Sequence, residues 1–125
     1  MISKDFIRDP VFPECPIRNI LARIGSKWTL AVLYTLGEAS GAMRFRDIEQ
    51  KNPDCSQKML TQTLRGLEAD GLVSRKVYAE MPPRVEYTLT DRGRSFLSVL
   101  RQLLDWAYSN LHEIVSDRER YYGKE

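Results

Sequence analysis

Residues 56–72 read SQKMLTQTLRGLEADGL, and the way this stretch folds decides the rest of the chain. Leu60, Leu64 and Leu67, with Met59 and Thr63 beside them, return at steps of three and four and form one apolar helical stripe. The opposite face carries Gln57, Lys58, Thr61, Gln62 and Arg65, with no acidic residue between Gln57 and Arg65. Amides, a hydroxyl and two cations are the groups that reach base edges and phosphates. Ser56 suits the N-cap, and Gly71 suits the left-handed position that ends a helix. The stretch is predicted to be the second helix of a helix-turn-helix, with Ser56 and the exposed residues up to Arg65 as the reading face.

The residues upstream supply the rest of that motif. FRDIEQKN places Phe45 and Ile48 one turn apart on a short helix that Asn52-Pro53 ends. Only residues 52–55 then separate the two helices, which is helix-turn-helix spacing. Before them, KWTLAVLYTLG follows a capping Ser26 and runs to Gly37 with almost no polar face, so it is expected at the centre of the domain. Residues 38–44 are expected to form a loop with a short strand ending at Arg44. A first helix is predicted from Pro16 to Ile24, with Ile17, Ile20, Leu21 and Ile24 on one face and Gly25 as its stop. Residues 1–14, which include Pro10 and Pro13, are expected to be an arm with little helix.

Downstream of Gly71 the period changes from helical to two. Val73, Arg75 and Val77 alternate with polar neighbours, and after Pro82-Pro83 so do Val85, Tyr87 and Leu89. The two strands make a hairpin, the wing of a winged helix, and bring Arg75, Lys76 and Arg84 within reach of a neighbouring groove or phosphate. Glu80 and Glu86 dilute that charge, so a plainly solvated hairpin stands as the competing reading. Thr90 and Asp91 open a long helix whose stripe includes Phe96, Leu97, Leu100, Leu103, Leu104, Ala107, Leu111 and Ile114. Val99, Trp106, Tyr108 and Val115 widen the stripe beyond what a small domain covers, which implies a partner. The expected fold is mainly α with a small β-hairpin wing, a domain over 15–115, and a charged, frayed tail over 116–125.

Composition narrows the function. With 125 residues and 42% hydrophobic residues, the chain can fill one core. Two cysteines and no apolar leader or membrane-length run point to a reducing cytoplasm and no membrane association. No C-x-x-C pair is present and His112 is the only histidine, so neither a thiolate–imidazole metal site nor a cofactor is expected. No phosphate-cradling glycine loop, nucleophile–histidine signature or paired-carboxylate motif supports an enzyme. The net charge of +2 is compatible with nucleic acid without announcing it, so placement of charge must decide. A sequence-specific DNA-binding regulator is favoured over a winged helix that docks on proteins, because a docking face is more apolar than Gln57 to Arg65. Trp28 and Trp106 are simple packing residues or the walls of a space for a small aromatic effector.

Three runs carry a family resemblance: CPIRNILARIGSKWTLAVLYTL, MRFRDIEQKNPDCSQKMLTQTLRGLEADGLVSR and VYAEMPPRVEYTLTDRGRSFL. They resemble the HxlR-type winged-helix transcriptional regulators, most specifically in Pro82-Pro83-Arg84-Val85-Glu86-Tyr87 followed by Leu89-Thr90 and Gly93. The resemblance implies a homodimer on a palindromic operator, joined through the first and last helices, with Ile17, Leu21, Leu100, Leu104, Trp106 and Leu111 as interface candidates. It also implies that the N-terminal half of the reading helix enters the major groove, with the two such helices ~34–36 Å apart. Cys15 matches a family cysteine that in some relatives senses electrophiles or oxidants by bonding across the dimer, and it is the candidate redox sensor here. A packing role for Cys15 stands beside that one. Gly66 and Cys55 depart from the family pattern, Gly66 weakening the helix by about 1 kcal/mol and Cys55 serving as a small hydrophobe.

Overall fold

The computed structural model describes residues 10, 11 and 16–123. Its elements are α1 (Pro16–Ile24), α2 (Lys27–Glu38), α3 (Phe45–Lys51), α4 (Gln57–Ala69), β1 (Val73–Tyr78), β2 (Arg84–Leu89) and α5 (Asp91–Tyr122). The sequence-predicted class is the one found, mostly helical with one antiparallel hairpin and a long last helix. The expected arm over 1–14 falls almost wholly outside the described residues.

Each periodic stripe ends in the same core. Val32, Leu33 and Leu36 of α2 meet Ile48 of α3, Leu60, Leu64 and Leu67 of α4, and Leu97 and Leu100 of α5, with Leu72, Val73 and Tyr87 closing the hairpin side. α2 is central as expected, yet it is not covered all round. Its Tyr34 is exposed beside Glu38, whose carboxylate raises the phenol above its ordinary range through charge and a hydrogen bond. Gly37 does not end α2 as expected. The helix continues through Glu38, and Gly37 lies where Leu97 of α5 packs so closely that a Cβ would overlap it.

The short strand expected before Arg44 is reduced to a single bridge. Met43 N–H donates to the Tyr87 carbonyl at 3.0 Å and Tyr87 N–H returns the bond at 2.8 Å, which ties the entry of α3 to the wing. Within the wing the register pairs Val73 with Leu89, Arg75 with Tyr87, Lys76 with Glu86 and Tyr78 with Arg84. The turn at 79–83 contains a cis Met81–Pro82 bond.

The wing is inserted between α4 and α5 at a tight junction. Gly71 adopts φ 76°, the left-handed conformation that glycine tolerates without a Cβ penalty. The Thr90 hydroxyl donates to the Gly71 carbonyl at 2.6 Å and accepts from Gly93 N–H at 3.1 Å, so one side chain closes α4 and caps α5. Thr90 N–H donates to the Leu72 carbonyl at 3.1 Å. Gly93 lies against that same carbonyl, and a Cβ there would overlap it.

α5 spans 32 residues, or ~48 Å at 1.5 Å per residue. Its buried residues are Gly93, Leu97 and Leu100, with Phe96 and Leu104 packed alongside the core. The frayed tail expected from 116 is instead helix to Tyr122. Glu and Arg are good helix formers, an Asp117–Arg120 pair bridges one turn, and Gly123 N–H donates to the Glu119 carbonyl at 2.8 Å.

The junction yields a stability contrast. Gly93→Ala should lower unfolding stability by about 1–3 kcal/mol, because the methyl forces the Leu72 carbonyl aside. Gly41→Ala, which meets nothing within 4 Å, should stay within about 0.5 kcal/mol of wild type. Urea titrations at one fixed protein concentration measure both, and equal stability of the two variants would remove the tight junction.

Candidate nucleic-acid interface

α4 starts where the sequence places it because Ser56 accepts Met59 N–H at 3.1 Å as its N-cap. The turn before it is fixed by Asn52, a residue that periodicity could not single out. Its buried Nδ2 donates to the Thr35 hydroxyl at 3.1 Å and to the Ile48 carbonyl at 3.0 Å, while its own carbonyl accepts Cys55 N–H at 3.0 Å. One carboxamide therefore ties the α3–α4 turn to α2. The only sequence signal for it is an asparagine at a helix end before proline. Cys55 fills the core beside this turn at 5% exposure, and burial pushes its thiol up, against a smaller opposing influence from Lys27. It is the packing residue the sequence suggested.

Four of the six predicted α4 residues present unengaged side chains. Gln57, Lys58, Gln62 and Arg65 are exposed and have no hydrogen-bond or ion-pair partner among the described residues. Ser56 is exposed but spends its hydroxyl on the cap, and Thr61 is half-buried with its hydroxyl donating to the Gln57 carbonyl at 2.8 Å. These last two shape the face more than they extend from it. At its far end α4 is anchored: Arg23 of α1 donates to Asp70 at 2.8 and 3.1 Å and to the Gly66 carbonyl at 3.5 Å, and Arg92 of α5 donates to the Asp70 carbonyl at 2.9 Å. Gly66, the departure in the helix interior, thus leaves an accessible carbonyl for a guanidinium.

The wing residues divide. Arg75 is exposed on β1 and shares with Thr61 and Arg65 a hollow of about 410 Å³, which Phe45, Leu64, Glu68 and Tyr87 complete. Lys76 is exposed, sits opposite Glu86 in the ladder, and holds its ammonium 4.8 Å from the Tyr78 ring centre. Arg84 is not brought to the same place. Its guanidinium lies 3.9 Å over the Tyr78 ring, 3.3 Å from Glu80 and 3.5 Å from Glu86, with the side chain 28% exposed.

The interface candidates divide as well. Leu100 is 2% exposed and belongs to this chain's own core, so its assignment to a dimer face is corrected. It continues the inward line Gly93–Leu97, which the sequence stripe did not separate from the outer edge. Leu104 and Ile17 are half-buried, while Leu21, Trp106 and Leu111 are exposed and joined by Ile20, Val99, Leu103, Tyr108 and Val115. Trp28 packs against the core, far less exposed than Trp106 at 61%. Cys15 lies outside the described residues. Among the described residues no group of three or more His, Cys, Asp or Glu is placed to hold a metal, and no helix is long and apolar enough to cross a membrane.

Comparison with known proteins adds four findings. The family model for the HxlR-like helix-turn-helix matches residues 23–115. An HTH-type transcriptional regulator of Methanothermobacter thermautotrophicus is 46% identical over 92 residues, covering 74% of this chain and 69% of that protein. Among solved structures, the transcriptional regulator ytfH from Salmonella typhimurium superposes with a TM-score of 0.77 at 35% identity, over 90% of this chain and 99% of its own. The redox regulator HypR in its oxidised form gives 0.67 at 42% identity, over 77% and 97%.

Proposed function

Because this chain belongs to the HxlR-like helix-turn-helix family, whose relatives are transcriptional regulators, we propose that it binds double-stranded operator DNA sequence-specifically and represses transcription as a homodimer. The observation that carries this reading is the outer face of α4, where Gln57, Lys58, Gln62 and Arg65 are exposed and unengaged. Amides and guanidinium groups read adenine and guanine edges in a major groove, and ammonium and guanidinium groups neutralise phosphate. Arg75 extends that cationic face onto the wing through the hollow it shares with Arg65, while Lys76 stands on the opposite face of β1 beside Tyr78. A surface evolved to dock on protein concentrates apolar and aromatic residues at its centre, whereas here Met59 is the exposed large apolar side chain of α4. A dimer seated over a promoter represses by excluding the polymerase.

Gel-shift titration of an operator selected by the wild-type protein from a random DNA pool tests the face. Lys58→Ala and Arg65→Ala should each weaken binding, and Gln62→Ala should relax preference at one base pair by about 1–3 kcal/mol while changing overall affinity less. Wild-type behaviour of all three variants removes α4 as the reader, and selection of no DNA by the wild type favours the protein-docking alternative.

The second copy is argued from apolar surface. Leu103, Trp106, Tyr108, Leu111 and Val115 are exposed along α5, and Ile20 and Leu21 along α1, large apolar side chains of the kind that gather where a partner covers them. An isologous pairing of these helices gives two-fold symmetry, and hence a pseudo-palindromic site with half-sites about 34–36 Å apart. Sedimentation at micromolar concentration should give a dimer, with Leu111→Glu shifted toward monomer while retaining helical circular dichroism. A wild-type monomer contradicts the pairing.

The relative HypR is a redox regulator, and Cys15 directly precedes α1 in sequence. A thiolate beside a helix N-terminus is stabilised by the helix dipole, which makes such a cysteine the reactive one. Cys55, buried and with its thiol pushed up, is the inert one. Diamide should release DNA from wild type and from Cys55→Ala but not from Cys15→Ser. Equal responses of wild type and Cys15→Ser exclude Cys15 as the sensor.

A further inference from the structure

We propose that Arg84 is a positioning residue of the wing, a clasp that fixes the ladder presenting Arg75 to DNA, and that it does not itself neutralise a phosphate. The inference grows from its surroundings. Arg84 opens β2 and Tyr78 closes β1, and the two face each other at the last rung of the ladder. The guanidinium plane lies 3.9 Å over the Tyr78 ring, and its edge meets Glu80 in the turn at 3.3 Å and Glu86 two residues along β2 at 3.5 Å. A planar, delocalised cation can stack on an aromatic face and bond carboxylates at its edge at the same time, which an ammonium cannot.

Exposure and charge support the same assignment. The Arg84 side chain is 28% exposed and that of Glu86 24%, so the pair is partly withdrawn from the screening that weakens open surface pairs. Arg84 Nε is out of contact with solvent and makes no hydrogen bond, so its contact with Glu86 at 3.5 Å is an ion pair alone. With two carboxylates around one guanidinium, the tip of the wing carries no surplus positive charge to offer a phosphate. Arg75 has no ion-pair partner among the described residues and shares its hollow with Arg65. Lys76 is paired with Glu86 in the ladder but holds its ammonium 4.8 Å from the Tyr78 ring centre, while Arg84 engages the Glu86 carboxylate. Arg84 thus joins the turn, the Tyr78 ring and Glu86 at the tip of the hairpin and fixes the ladder on which Arg75 stands.

In its DNA consequence the proposal rests on the reading of α4 and the wing given above, so its test has one arm with DNA and one without. The first measures affinity of Arg84→Gln, Arg84→Lys and Arg75→Gln for the selected operator across a salt series, at temperatures well below each variant's unfolding. A direct phosphate contact shows itself as a loss of about one unit in the slope of log affinity against log salt. Arg75→Gln should show that loss. Arg84→Gln should weaken binding severalfold with the slope unchanged, and Arg84→Lys, which keeps the charge but not the plane, should behave like Arg84→Gln. A slope loss in Arg84→Gln together with rescue by Arg84→Lys overturns the proposal.

The second arm reads the clasp in the free protein by proton NMR. The Arg84 δ and ε protons should be shifted upfield by the Tyr78 ring and return toward ordinary values in Tyr78→Leu. Ordinary shifts in wild type overturn the clasp whatever the protein does with DNA. If the wild type selects no DNA while the ring shift is present, the reading of α4 fails and the clasp stands.

Discussion

The carbonyl of Leu72 is the point on which the arrangement of helices depends. It accepts Thr90 N–H, and it lies against Gly93 with no room for a side chain between. Gly71 turns the chain off α4 just before it, and the Thr90 hydroxyl bonds the Gly71 carbonyl while capping α5. The end of one helix and the start of another, with a hairpin between them, are thus closed by a few backbone groups and one threonine. Because the Gly71 and Leu72 carbonyls and the Gly93 N–H find their partners in Thr90, an alternative angle between α4 and α5 leaves them unpaired, at about 1–3 kcal/mol each. The helix that carries the outer polar face and the helix that carries the surplus apolar surface are therefore held at a fixed angle. In the two-fold complex with DNA proposed above, that angle would set the separation of the two half-sites.

Asn52 and the Arg23–Asp70 pair extend the same constraint to the two ends of α4. Asn52 ties the turn before the helix to Thr35 of α2, and Asp70 after it receives guanidinium groups from α1 and its carbonyl one from α5. Between these anchors Leu60, Leu64 and Leu67 are buried against α2, each stabilising the helix by about 1.5–3 kcal/mol. An outer face with no internal contacts is affordable only on a helix so fixed from behind. Its side chains stay free of internal partners while their Cα positions are held.

What was legible in the sequence followed periodicity and caps. Ser56, Gly71 and Thr90 declare themselves through residue type and spacing, and each does the job its type predicts. Patterns that depend on a distant neighbour were not legible. Gly37 looked like a helix end because glycine usually is one, yet it is needed for Leu97, sixty residues away in sequence. Leu100 and Leu111 belong to one apolar stripe by spacing, but the helix outgrows the domain, and only the packing shows that the first is covered and the second is not. Arg84 reads as a basic wing residue until Tyr78, Glu80 and Glu86 are seen around it. Asn52 carried no periodic signal at all, since its role lies in hydrogen bonds to two other segments.

The distribution of paired and unpaired charge explains how a chain with a net charge of only +2 can present a cationic face. Five arginines away from that face are engaged, Arg23 with Asp70, Arg84 with Glu80 and Glu86, Arg94 with Asp91, Arg101 with Glu38 and Arg120 with Asp117, whereas among the described residues Arg18, Arg46 and Arg118 are not. Lys58, Arg65 and Arg75 have no such partner among the described residues. Exposed pairs contribute little to stability, often below about 1 kcal/mol, so their effect on the long-range field matters more. Each pair cancels at distances beyond ~10 Å, the screening length near 0.1 M salt, where the separate charges would have competed with the α4 face for a polyanion. Arg18, Arg46 and Arg118, also without an ion-pair partner among the described residues, stand on three different helices, whereas the fold brings Arg65 of α4 and Arg75 of β1 to one hollow, so the cationic character of that face comes from clustering as well as from missing partners.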